Sequence, residues 1–297
     1  MSLLTESSRR PVGLPGRLLW PLAVTNLVVN ILIVVTGGAV RLTGSGLGCP
    51  TWPRCTEDSF VAHGELGLHG AIEFGNRLLT FVLVVVALAC LVAALAAGHR
   101  AAVRLSALVA VGIAVQALIG GLTVLIDLNP WVVSVHLLVS MAIIAACTVL
   151  LDAVRGPGRP AASALSGRLA WSALAAAWVV LALGTVVTGS GPHSGDVETL
   201  RTGIDPAVMS HVHAIAVYVL VALTMGVLGL ARRAGEDVVA RAAGVLLGVE
   251  LAQGAVGFAQ YWLDLPELLV AVHLLGAAVL SAAVTWLVLS VRARAGR

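Results

Sequence analysis

Eight stretches of about twenty apolar residues dominate this chain, at roughly 18–39, 70–97, 105–126, 131–151, 169–188, 208–231, 242–262 and 268–291. A run of that length matches the hydrocarbon core of a bilayer, and a backbone in lipid must satisfy its own hydrogen bonds, which leaves helices as the spanning form. The expected fold class is therefore an all-α integral membrane protein with eight transmembrane helices. Only 11% of residues are charged, against about 25% in soluble domains. The first run is too long for the core of a cleaved leader, and Gly37-Gly38-Ala39-Val40-Arg41 follows it in place of an uncharged cleavage site.

The chain contains no lysine, so its arginines report topology. Arg9, Arg10, Arg17, Arg100, Arg104, Arg155, Arg159, Arg168, Arg232, Arg233, Arg241, Arg292, Arg294 and Arg297 fall on one side of the eight-span layout, and Arg41, Arg54, Arg77 and Arg201 on the other. The positive-inside rule then puts both termini in the cytoplasm of a multi-pass cell-membrane protein. The net charge of +3 reflects that layout and not nucleic-acid binding.

The sequence is written twice. Gln116, Gly120, Leu128 and His136 recur as Gln253, Gly257, Leu265 and His273, always 137 residues on, and Val135-His136-Leu137-Leu138 repeats letter for letter at 272–275. For the second helix, Val86-Ala87-Leu88 matches Val221-Ala222-Leu223 at an offset of 135, which sets Asn76 opposite His211. Residues 1–155 and 169–297 are thus expected as two pseudo-symmetric four-helix halves, parallel repeats joined by a cytoplasmic linker at 156–168. The first outer loop is the main difference, 40 residues from Thr36 to Asn76 against 23 from Thr188 to His211.

This register puts Asn76, His136, His211 and His273 at equivalent depth in the outer third of even-numbered helices. Imidazole is the usual axial ligand of heme iron, and bundle cores commonly hold cofactors between facing helices. His211 and His273 are the expected clamp for one heme, with His213 competing for the place of His211 on another face of the same helix. An amide is a poor iron ligand, so Asn76 and His136 leave the first site with one strong ligand. Beside it, His69, Glu73 and Asn76 or Arg77 share a helical face, and a carboxylate there is placed for proton transfer; an i,i+4 Glu73–Arg77 anchor is the plainer reading. Arg41 and Arg77 stand where outward-facing propionates need partners, or where headgroups do.

Cys49 and Cys55 lie in the first outer loop, where a bridge can form and would add only about 2 kcal/mol through loop entropy. A structural clamp and a redox pair are both open; a metal site has only His63 nearby as a further ligand. Cys90 and Cys147 lie within apolar runs and read as small hydrophobes. Glu250 reads as a hydrogen-bonded group of the second bundle, and Gln116 and Gln253 as packing residues. No role falls to His99 or His193.

Taken together these residues resemble the heme A synthase family. Thr36-Gly37-Gly38-Ala39-Val40-Arg41-Leu42-Thr43-Gly44-Ser45-Gly46-Leu47-Gly48-Cys49-Pro50 with Trp52-Pro53 carries most of the likeness, and Glu73-Phe74 with Arg77 the rest. The resemblance implies oxidation of the methyl group of heme O to the formyl group of heme A for terminal oxidases. It also implies substrate heme in the N-terminal half, heme b on His211 and His273, Glu73 as catalytic carboxylate, and a Cys49–Cys55 pair. Heme O arriving from a heme O synthase, a membrane electron acceptor and a homo-oligomer fit the same picture. Asn76 departs from it, since the family pattern often has a second histidine there; His69 or His63 would substitute only with altered spacing. A di-heme b-type electron carrier without substrate chemistry is the alternative, and a secondary transporter a third reading that expects its polar groups at the membrane centre.

Overall fold

The computed structural model describes residues 14–154, 158–196 and 198–294. Arg9, Arg10, Arg155, Arg297 and the boundary residues Gly156 and Pro157 lie outside the described residues. Among the described residues eight α-helices follow one another: α1 Leu14–Leu42, α2 Gly67–Ala96, α3 Arg100–Leu125, α4 Pro130–Val154, α5 Ala164–Ser190, α6 Pro206–Ala234, α7 Asp237–Trp262 and α8 Glu267–Ser290, with a 3-10 turn at Gly64–Leu66 before α2. All eight spans expected from hydropathy are present among the described residues and long enough to cross a membrane, each beginning ahead of its apolar run. α5 starts at Ala164, inside the expected linker, because Ser163 caps it by accepting the Ser166 N–H at 3.2 Å.

Packing divides the helices into two rings. In the first, α1 packs on α2, α2 on α3, α3 on α4 and α4 on α1; in the second the order is α5, α6, α7, α8 and back to α5. Across each ring the diagonal partners α2 and α4, or α6 and α8, stand farther apart, with no described Cα atoms within 8 Å of each other. The seam between the rings is formed by α4 with α8, α1 with α8 and α4 with α5. Interiors are lined by small residues, with Ala23, Ala87, Ala94, Ala170, Ala173 and Ala177 fully buried, while Phe81, Val85 and Val92 face outward at 68%, 65% and 63% exposure. That inversion suits a lipid solvent, where close backbone approach rather than water exclusion holds helices together.

The duplication is visible in backbone conformation. Asp127 and Leu128 both adopt positive φ, 51° and 56°, and 137 residues later Asp264 and Leu265 do the same at 57° and 60°. Leu128 N–H bonds Thr123 O at 2.8 Å, and Leu265 N–H bonds Gln260 O at 2.9 Å. Gly98 and Gly235, also 137 apart, make the left-handed turns that end α2 and α6. These turns correct the register expected for the second helix. α2 runs unbroken from Asn76 to its turn at Gly98, and α6 runs unbroken over the same length from His213 to Gly235. Asn76 therefore corresponds to His213, and the offset of 135 that paired it with His211 came from a chance match of three apolar letters.

Two groups of contacts lock the halves at opposite ends. At the terminus end Arg159 forks onto Asp152 at 2.8 and 3.0 Å and donates to Arg292 O at 3.2 Å, while Arg294 approaches the same carboxylate at 3.6 Å. At the loop end Arg41 donates to Thr188 O at 2.9 Å and to His193 O, and Gly46 N–H bonds Gly195 O at 2.8 Å. Midway, Ser281 Oγ donates to Met141 O at 2.8 Å across the seam.

Candidate functional site: two imidazole-lined bundles

Within each ring a side chain from an even-numbered helix lies against a glycine of its odd-numbered neighbour. A Cβ on Gly120 would stand 3.1 Å from the His136 ring, one on Gly184 3.2 Å from His213, one on Gly257 3.6 Å from His273, and one on Gly37 4.0 Å from the Asn76 amide nitrogen. Glycine at these four points is what lets a flat side chain lie flush on the facing helix. Gln116 donates to His136 O at 2.8 Å, and Gln253 donates to His273 O at the same distance. Both glutamines thus tie neighbouring helices together beside the imidazoles; Gln116 also reaches Ser140 Oγ.

The Nδ1 atoms of His136, His213 and His273 are buried without a hydrogen-bond partner. The His213 ring also has the Val180 carbonyl, one turn before Gly184, within reach. Unpaired polar atoms in an apolar interior are costly, and three imidazoles in that state fit a group that binds through ring nitrogen. His211 behaves differently. It is exposed, its Nδ1 is 2.6 Å from the Ala207 carbonyl one turn back, and its ring meets Tyr261 edge-on at 6.1 Å. Two residues turn a helix by about 200°, so only one of His211 and His213 can face the bundle, and His213 does.

In the first half the amide of Asn76 accepts from Thr36 Oγ1 at 2.8 Å, which leaves His136 as the single unpartnered imidazole of that ring. His63 is exposed, and exposed His69 sits 2.9 Å from Ser45 Oγ; neither enters the bundle to take the missing place. The donor set fits two axial ligands for a heme iron in the second ring and one in the first.

Glu73 and Arg77 turn toward the outer loop. Glu73 Oε2 accepts the Cys49 N–H at 2.7 Å, and Oε1 accepts from Arg77 Nε at 3.1 Å and from its Nη2. Arg77 also donates to Thr51 O and Arg54 O at 3.1 Å and to Cys49 O at 2.9 Å. Cys49 and Cys55 are joined as a disulfide, buried at the centre of this clamp. The loop seats closely because a Cβ on Gly48 would collide with the His69 carbonyl and Gly70 N, and one on Gly121 with the Trp52 indole. Arg41 and Arg77 thus bind backbone carbonyls. The Glu73–Arg77 pair was legible as i,i+4; its loop partners, more than twenty residues away, carried no local signal.

Glu250, 3% exposed, accepts from Thr224 Oγ1 at 2.7 Å inside the second ring, as its reading as a bundle hydrogen bond anticipated. Among the described residues no cluster of three or more His, Cys, Asp or Glu side chains could hold a bare metal ion.

The family model described as cytochrome oxidase assembly protein matches residues 21–66 and 68–193, more than half of the chain. The heme A synthase of Geobacillus thermodenitrificans is 26% identical over 141 residues, 46% of this chain and 44% of that protein. The heme A synthase of Shewanella oneidensis is 38% identical over 56 residues, 16% of this chain and 17% of that protein. The matched segments therefore span less than half the length of these curated relatives.

Proposed function

The chain belongs to the cytochrome oxidase assembly protein family, and from that premise we propose that it is a heme A synthase, converting the methyl group of heme O to a formyl group in its first bundle. The observation that carries this reading is the asymmetry between the rings. Three of four equivalent positions bear an unpartnered imidazole, and the fourth bears Asn76, already bonded to Thr36. A ring with two strong ligands saturates its iron; a ring with one leaves space beside it for chemistry.

We assign the second ring to heme b, held by His213 and His273 rather than by His211. Heme b bound there would supply electron transfer. In the first ring His136 holds the substrate heme and Asn76 lines its other face. Oxidation of the methyl group requires water and releases four electrons and four protons, so a proton acceptor near the substrate and a membrane electron acceptor are both needed. Glu73, one turn from Asn76 on α2, is the carboxylate this reading assigns to that role. With the arginine-rich turns inside, both termini are cytoplasmic and the reaction lies near the outer surface.

The test is heme extraction from purified protein after supply of heme O. Heme A formed by the wild type and abolished in Glu73→Gln is the expected result. Protein that binds two hemes but leaves heme O unaltered would instead establish the di-heme electron carrier, and colourless protein would remove both.

A further inference from the structure

Asn26 and Asn30 are buried in α1, 0% and 4% exposed, in a segment without charge from Leu18 to Val40. Asn30 Nδ2 donates to Asn26 O at 2.8 Å and to Asn26 Oδ1 at 3.0 Å. That leaves Asn26 Nδ2 fully buried with no partner. Along α1 the residues Asn26, Asn30, Ile33 and Gly37 recur at i, i+4, i+7 and i+11, a single face. The face points into the first ring. Gly37 meets Asn76 of α2, Ile33 packs with Leu83, Val109 and Ile143, and Ala23, one turn before Asn26, packs with Cys90, Ala102 and Leu150.

The second ring has no such pair. Asn26 and Asn30 lie eleven and seven residues before Gly37; at the same distances before Gly184 stand Ala173 and Ala177, both fully buried. A buried amide donor that costs stability when unpaired thus lies on the first helix of the ring assigned to the substrate, where the second ring has alanine. Asn30 lies six residues from Thr36, roughly 9 Å along the axis, on the terminus side of the Asn76–His136 level. A heme O seated with its charged propionates toward the polar loop end would point its opposite porphyrin edge this way.

Heme O differs from protoheme at that edge, where it carries a hydroxyl-bearing isoprenoid chain in place of a vinyl group. Building on the heme O reading above, we propose that the Asn26–Asn30 amide pair is the subsite that hydrogen-bonds this hydroxyl, and so selects the hydroxylated isoprenoid heme over protoheme. The apolar surroundings make the pair discriminating: protoheme would leave the amide unpaired, whereas heme O satisfies it.

Full-length wild type, Asn26→Ala and Asn30→Ala would each be purified from cells containing both hemes, and the bound hemes extracted and separated. Protoheme held by the second ring serves as internal reference. The expected result is a ratio of heme O plus heme A to protoheme about fivefold lower in either variant, the loss of one neutral hydrogen bond, with protoheme content maintained. Asn26→Ala guards against misfolding, since the bond from Asn30 to the Asn26 carbonyl survives it. An unchanged ratio in both variants, or equal loss of both hemes, would overturn the subsite. Wild type holding neither heme O nor heme A would fail the functional reading itself, an outcome separate from loss of selectivity.

Discussion

The clamp between Glu73, Arg77 and the disulfide loop yields a graded prediction. Glu73→Ala removes the acceptor of the Cys49 N–H and the anion facing Arg77. A buried donor left unsatisfied costs about 1–3 kcal/mol, and breaking a buried ion pair about 3–5 kcal/mol. The second figure must be reduced here, because Arg77 is 21% exposed and keeps three carbonyl partners. A net cost of about 3 kcal/mol for local opening of the loop follows. Glu73→Gln keeps an acceptor for Cys49 and loses only the charge, so about 1–2 kcal/mol is expected. Amide hydrogen exchange over residues 46–58 reads this directly: about a hundredfold acceleration in Glu73→Ala and about tenfold in Glu73→Gln, at 1.36 kcal/mol per decade. Exchange unchanged in Glu73→Ala, or equal in the two variants, would refute the clamp. The same pair of variants separates structure from chemistry, since Glu73→Gln leaves the loop largely seated while removing the base.

Three further outcomes are expected. His213→Ala should lose the heme of the second ring, visible as a drop in Soret absorbance per chain, while His211→Ala should keep it; the reverse pattern would restore the 135 register. Gly257→Ala should be tolerated, because its Cβ would meet the His273 ring at an ordinary 3.6 Å, whereas Gly120→Val should displace His136, already 3.1 Å from a first Cβ, and lower substrate-heme binding. Glu236 lies in the turn before α7; partial burial raises its pKa, but hydrogen bonds from Ser166 Oγ and the Ser163 N–H outweigh that and hold it below the usual carboxylate value. Its stabilisation of the α5 start is therefore complete above the ordinary carboxylate pKa of about 4.3 and fades as pH falls through the lower folded value, so exchange at Ser163 and Ser166 should quicken on acidification and Glu236→Gln should flatten that dependence.

The span count was readable because an apolar run and the bilayer thickness are both local measures. The repeat was readable through α3, α4, α7 and α8, where glutamine, glycine and histidine recur at one spacing and chance matches are rare. It misled in α6, where Ala, Val and Leu are so common that a three-letter match carries little information. Gly98 and Gly235, each in the turn that closes its helix, held the correct spacing in plain sight. Asn26 and Asn30 also carried a readable signal, two amides four residues apart inside a span, which the histidines overshadowed.

Composition and pattern alone determined that this chain is a duplicated eight-helix membrane protein, with imidazoles at matching depth and one amide out of step. The tertiary structure decided which of two histidines enters the second ring and which groups Glu73 and Arg77 hold. It also left the diagonal helices apart and turned the Asn26–Asn30 pair inward. The reason is helical phase. A shift of two letters is small in sequence but turns a side chain to the far side of its helix, and only the packing of unbroken helices between their turns fixes that angle.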